Sequence, residues 1–338
     1  MSKWILCIRP TLFLCLASLS ASVSATAAAK AAHQKLTIAL DWTPNTNHVG
    51  LFAAKSTGAF ARAGLDVRFV QMKQTSTTQL VGSGKAEFGI SFVSDVLNAR
   101  AQKIPVVSVA AIIQENTSCF AARESTGIRS VKDFEGRRYG GWGSPEEEAT
   151  LRYVMKKSGA DFSKLKIVTT GISDFLPTTQ KNADFMWIYM GWDGVRAKLE
   201  NVKLNTICLR DIDPVFNHPS PLIISSAKFA RSNPEIIRKF LAAASEGYQL
   251  AINKPQEAAR LFMKEVPESD SKIVLESTIF LSREYAKNTP RWGVQDVSRF
   301  EAYRTWANQQ NILDLKESSK EFVDNSFLPA AENRGAGK

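Results

Sequence analysis

Histidine and cysteine are scarce in this chain, with 3 of the first and 4 of the second, and no Cys/His spacing resembles a metal site. After the N-terminus no stretch approaches about 18 uninterrupted apolar residues, the length that reads as a membrane-spanning helix. Short-period repeats, low-complexity tracts and long blocks of like charge are missing as well. The 43 lysines and arginines exceed the 33 acidic residues, for a formal net charge of +10. These basic residues are scattered singly, and none are interleaved with aromatics as along a nucleic-acid groove. Nucleic acid is therefore not an expected partner. No cofactor and no metal are expected, and a monomer is.

The first residues set the expected compartment. Lys3 and Arg9 form a basic start, residues 11–17 a short apolar run, and Val23-Ser24-Ala25 a small-x-small cleavage site. That is the pattern of a secretory signal peptide over residues 1–25, and it predicts a periplasmic protein. An amphipathic N-terminal helix is the competing reading. Leu12-Phe13-Leu14 before Cys15 lacks the small residues of a lipid-attachment site. Cys7 and Cys15 leave with the signal. Cys119 and Cys208 remain, either bridged, as export permits, or as two buried thiols.

The body of the chain alternates short β-type runs with helical ones. Strands are predicted at residues 36–40, 65–70, 88–91, 106–113, 137–140, 184–189 and 222–225. Helices are predicted at 49–60, 77–83, 94–101 and 146–157, and the chain from Asn233 to Ile312 is mainly helical. Repeated β-α units imply an α/β fold of two doubly wound lobes with mostly parallel sheets. The second lobe reads as inserted in the first: lobe 1 over 34–117 and 220–329, lobe 2 over 118–219, and a flexible tail over 330–338. A hinge with two crossings puts the ligand between the lobes, at the C-terminal ends of strands.

Three polar or aromatic segments follow strands directly. Residues 41–48 carry Trp42, Asn45, Asn47 and His48: an apolar face with fixed donors and acceptors, as a planar heterocycle needs. A turn capped by its own side chains accounts equally for the two asparagines, and a lone histidine is often structural. Residues 140–148 form a Gly-rich turn with Trp142, followed by three glutamates at a helix start. The helix dipole explains at least two of the glutamates, and they discourage a phosphate. Glu147 is the candidate to accept from an amino group on a ring. Residues 187–193 hold Trp187, Tyr189 and Trp192, a stacking wall or, in part, core packing.

These same stretches carry a resemblance. Residues 41–48, 80–85, 139–145, 187–192 and 325–329 resemble the periplasmic solute-binding proteins related to thiamin pyrimidine-precursor synthase, in particular the binders of formylaminopyrimidine. The likeness spans about residues 35–329. It implies a bilobal periplasmic-binding-protein fold of type II, ring stacking in the cleft, and an ABC permease and ATPase as partners. The family also holds fungal enzymes that form the pyrimidine from their own histidine and pyridoxal phosphate, with a Lys and a His on the segment matching residues 89–97. Here Ser91 and Asp95 stand at those positions, and residues 216–221 lack the enzymes' cysteine cluster. A non-enzymatic binder of a small pyrimidine is the expectation. The rivals are that enzyme, or a binder of another ring such as riboflavin, or of a sulfonate.

Overall fold

Among the described residues, ten strands assemble into two five-stranded sheets with helices on their faces. The structure is a computed structural model and describes residues 1–2, 33–71, 76–171 and 173–330. The segment read as a signal peptide, beyond its first two residues, and residues 331–338 of the expected tail lie outside these.

The first sheet has the order β2-β1-β3-β10-β4, with β1 Gln34–Leu40, β2 Leu65–Gln71, β3 Phe88–Ser91, β4 Val106–Ala111 and β10 Leu222–Ser226. The second has the order β7-β6-β8-β5-β9, with β5 Ser118–Arg123, β6 Arg138–Gly141, β7 Lys166–Thr169, β8 Phe185–Tyr189 and β9 Leu204–Cys208. Central strands are continuous buried runs: every residue of β3, β4 and β10 is buried, as expected of strands covered on both faces. The long helix Pro234–Asn253 opens with Pro at its first turn and buries Ile237, Phe240, Leu241 and Tyr248 on one side. Among the described residues no helix is long and apolar enough to cross a membrane.

Each sheet contains one antiparallel strand between parallel neighbours: β10 between β3 and β4, and β5 between β8 and β9. The connectivity explains it. The chain leaves the first sheet at the end of β4 and enters the second as β5, then returns from β9 to start β10. Both crossing strands start at the junction and run away from it, while β1, β3, β6 and β8 run towards it. The two crossings are tied together. Asn116 donates from Nδ2 to the Phe216 carbonyl (2.9 Å), and its own amide donates to Asn217 Oδ1 (3.3 Å). Beside them Glu115 accepts from Asn288 (2.7 Å) and pairs with Lys287 (3.3 Å) and Arg210 (3.4 Å).

Several boundaries differ from the sequence reading. The helix expected over 49–60 stops at Ser56, and Gly58, at φ 75°, turns the chain into a separate one-turn helix, Ala59–Arg62. The strand expected to reach Ile113 ends at Ala111, where the crossing begins. The helix placed from Ser94 starts at Val93. Strands β5, β7 and β9 were not anticipated. β7 and β9 are half-exposed edges with weak alternation, and β5 is rich in small residues.

Candidate functional site

The ends of β1, β3, β6 and β8 converge where the two sheets face each other, and the segments singled out in the sequence lie there. After β1 the chain turns through residues 41–48. His48 is fully buried. Its Nε2 lies 2.6 Å from Asp41 Oδ1, and its Nδ1 accepts from the Asn45 amide (3.2 Å). Asn45 is buried too. Its Oδ1 accepts from the Asn47 amide (2.9 Å) and its Nδ2 donates to the Thr43 carbonyl (3.0 Å). The Tyr285 and Tyr248 hydroxyls donate to the carbonyls of Thr46 and Asn47, each at 2.7 Å. Asn45 and His48, read from the sequence as facing a ligand, are instead buried and bonded within the turn. Both His48 nitrogens are engaged, and the buried Asn45 carboxamide gives its oxygen and one of its N–H groups to the loop's own backbone. What the loop presents outward is Trp42, 41% exposed, and the half-buried Asn47 carboxamide, which has no hydrogen-bond partner among the described residues.

The turn after β6 is built on the same plan with different parts. Glu147 is 2% exposed. Its carboxylate accepts from the Tyr139 hydroxyl (2.5 Å) and from the amides of Trp142 (3.2 Å) and Gly143 (2.8 Å). Burial and the neighbouring Glu147 carboxylate push the Tyr139 phenol well above its ordinary range. A Cβ on Gly141 would lie 2.6 Å from Glu147 Oε1, so the glycine is what lets the carboxylate reach under the loop. Ser144 caps the helix Pro145–Lys157 by accepting from the Glu147 amide. Glu147 is thus a loop anchor, not the group that meets an amino substituent. Trp142 stands above it, 40% exposed, at 5.3 Å from Trp187.

β8 supplies the opposite wall. Phe185 is buried, Trp187 half-buried and Tyr189 40% exposed, a gradient along one face of the strand. Trp187 also packs edge-on to Phe120 at 5.6 Å, so it backs Trp142 from the core side. The next turn, Met190–Gly194, is a single π turn and carries Trp192. Ser277 on the helix Ser271–Leu281 donates to the Gly191 carbonyl and contacts Thr46 Oγ1 (2.5 Å), which links this turn to the first loop. Aromatic pairs then close across the junction. Trp42 meets Trp192 edge-on at 6.1 Å, and Phe92, at the end of β3, meets Tyr189 at 6.3 Å. Of the predicted site residues, Trp42, Trp142, Trp187, Tyr189, Trp192 and Asn47 are brought to one region.

The sequence reading missed the carboxylates that join them. Asp95, in the first turn of the helix Val93–Ala101, is open to solvent yet hemmed in by protein on its other sides, as a group inside a cleft is. That crowding, then the charges of Glu146 and Asp41, push its pKa up to about 6. Glu146, next to the residue chosen from the sequence, bonds Tyr303 and Ser94 of the facing elements, and burial raises its pKa. Asp193 is also raised to about 6, chiefly by burial. Desolvation of its hydroxyl, then the charges of Glu146, Asp95, Asp41 and Asp193, raise the Tyr189 phenol above its ordinary range, although the ring stays partly open to solvent. Two buried hydroxyls at cleft-side strand ends, Ser91 Oγ and Ser118 Oγ, lack a partner among the described residues. Cys119 and Cys208, register partners on β5 and β9, are bridged.

The two five-stranded sheets, with the aromatic residues and carboxylates gathered at their junction, have the periplasmic-binding-protein fold. The aliphatic sulphonate binding protein SsuA from Escherichia coli shares that fold, with a TM-score of 0.66 at 14% identity over 86% of this chain and 92% of that one. A family model described as NMT1/THI5 like matches residues 45–258, and the chain belongs to that family. It is 26% identical to the formylaminopyrimidine-binding protein of Halalkalibacterium halodurans over 90% of this chain and 94% of that protein. It is 25% identical to the 4-amino-5-hydroxymethyl-2-methylpyrimidine phosphate synthase THI11 of Saccharomyces cerevisiae over 71% of this chain and 73% of that protein.

Proposed function

We propose that this chain is the extracytoplasmic solute-binding component of an ABC importer and takes a small planar, pyrimidine-like ring between its lobes. The observation that carries the reading is the set of half-exposed aromatics held at the strand ends of both sheets: Trp42 from one, Trp142 and Tyr189 from the other. Such faces left open to water at strand ends suit ring stacking. The binding relative from Halalkalibacterium points to the same ligand class. The lobes are residues 34–117 with 220–329 and residues 118–219, and the cleft lies between them. Export through the segment 1–25 is supported by the Cys119–Cys208 bridge, since disulfides persist in oxidising compartments. The synthase reading lacks its chemistry: residues 89–97 contain neither lysine for a Schiff base nor histidine to be consumed.

Thermal melting with an N-formyl aminopyrimidine, riboflavin and an alkanesulfonate tests the ligand. A ligand bound only by the folded state stabilises it by about 2.7 kcal/mol at a hundredfold excess over Kd. A shift with the pyrimidine alone is expected. A shift only with the flavin or the sulfonate overturns the pyrimidine while keeping a binding protein. Turnover of pyridoxal phosphate would overturn the binding protein itself.

A further inference from the structure

The helix Ser271–Leu281 joins the two sides of the junction through one face. Its Val274 and Leu281 pack in the core cluster that holds Leu36, Ile38 and Leu40 of β1, so the helix is rooted on the side of the first sheet. The π turn Met190–Gly194 is rooted on the other side. It continues β8, and its Met190 packs against the cluster of Ala121, Met186 and Ile188. Ser277 and Leu281 stand four residues apart on the helix and so share a face. Both meet Gly191. The Ser277 hydroxyl donates to the Gly191 carbonyl, and a Cβ on Gly191 would lie 2.7 Å from Leu281 Cδ2. Lack of a side chain is what lets the turn come this close to the helix.

Chemistry fixes the direction of the bonds. A carbonyl oxygen only accepts, so Ser277 uses its one proton on Gly191. In the contact between Ser277 Oγ and Thr46 Oγ1 (2.5 Å), Thr46 is then the donor. The result is a relay from Thr46 to Ser277 to Gly191, with both hydroxyl residues buried. Thr46 lies in the loop of Trp42, where its carbonyl accepts from Tyr285 (2.7 Å), and Gly191 directly precedes Trp192. One serine therefore spans the two backbones that carry the edge-on Trp42–Trp192 pair. All groups in the relay are neutral. Parting them returns each to water at little net cost, whereas a buried ion pair would carry a large desolvation penalty whenever the contact formed. Neutral hydroxyls suit a contact that makes and breaks.

Resting on the proposed binding role, we propose that Ser277 is a positioning residue, the centre of a latch between the two sides of the cleft. It acts through Thr46 and Gly191 and not on the ligand. Made, the latch holds Trp42 against Trp192 and retains a bound ring. Broken, it frees the two walls to part. A ligand enters while the walls are apart, so its association is indifferent to Ser277. Its departure requires the relay to break, so Ser277 governs the dissociation rate.

Stopped-flow binding of an N-formyl aminopyrimidine, read by tryptophan fluorescence, tests this. Ser277→Ala leaves the Thr46 hydroxyl and the Gly191 carbonyl without their partner, and is expected to raise the dissociation rate about tenfold with the association rate unchanged. Thr46→Val keeps the shape and the Ser277–Gly191 bond, and is expected to raise it less. Melting curves show that both variants fold. A Ser277→Ala variant with wild-type dissociation, or one slowed in association alone, overturns the latch while leaving a pyrimidine-binding protein. X-ray scattering reads the latch without relying on binding. Gly191→Leu, wedged against Leu281, is expected to be expanded relative to the wild type. Profiles of the two that coincide both with and without the pyrimidine overturn the inference. A wild type that is the more compact yet binds no pyrimidine overturns the ligand reading and supports the latch.

Discussion

The turn after β1 and the turn after β6 present the same object, an indole half open to the cleft, and hold it in opposite ways. The first turn is closed by the Asn45 carboxamide and by the His48 imidazole, which joins the Asp41 carboxylate to the Asn45 amide, with two tyrosine hydroxyls clamping its carbonyls from outside. The second is held by one carboxylate under the loop, gathering a phenol and two backbone amides. Distributed bonding survives the loss of a single partner better than a hub does. When a hub is removed, each donor it served is left buried and unsatisfied. The two Trp faces should therefore differ in how readily they are lost.

The largest effect is expected from cutting the hub. Glu147→Ala strands the buried Tyr139 hydroxyl and frees two loop amides, for a cost of about 3 kcal/mol in folding stability. It should weaken ligand binding as well, because Trp142 loses its platform. Urea unfolding beside calorimetric titration reads both, and an unchanged unfolding midpoint would show that the second turn does not depend on its carboxylate. Next comes the stacking face itself. Trp42→Ala is expected to lower affinity by about 2 kcal/mol, from lost stacking and buried area. It should change the melting temperature little, whereas a core Trp→Ala costs about 3–5 kcal/mol of stability. A variant that binds normally or fails to fold would move Trp42 from the cleft to the core.

The smallest effect is electrostatic and depends on pH. Asp95 has its pKa raised to about 6 by its surroundings, above its ordinary value near 3.8. Between those two values the folded state binds more protons than the unfolded one, so this group makes stability fall as pH rises through the window, and the loss is complete above it. Replacing it with Asn removes the penalty. Asp95→Asn should therefore unfold like the wild type near pH 4 and be more stable above about pH 6. Because the carboxylate reaches solvent, the gain is discounted to on the order of 1 kcal/mol. Urea curves across that range check it, and a variant that is less stable at high pH would contradict the crowding of charge around Asp95.

Much of this was legible from residues alone, for identifiable reasons. Runs such as Ile38-Ala39-Leu40 and Leu222-Ile223-Ile224 mark central strands because a strand covered on both faces must be apolar throughout. Trp42 and Trp142 stood out because a large indole among Pro, Asn and Gly at a strand end has little core to enter. The assignments that failed were all polar. Asn45, His48 and Glu147 were read as facing a ligand and face the protein. Asp95 was noted for standing where the related enzymes carry other residues, and Glu146 was passed over for its neighbour. A glutamate in a helix first turn satisfies the dipole equally whether it then points under the loop or across to another lobe. Consecutive residues on a helix diverge by about 100°, so a choice between Glu146 and Glu147 is a choice between two sides of the site.

Sequence by itself determined the α/β alternation and the buried central strands, because these depend on periodicity and local chain chemistry. It left open whether Cys119 and Cys208 meet. They are 89 residues apart, and only the pairing of β5 with β9 brings them together. Tertiary structure alone decided which polar side chains are spent inside and which carboxylates share the cleft. Hydrogen-bond satisfaction and charge repulsion act between groups distant in sequence, and they exist only once the two sheets face each other.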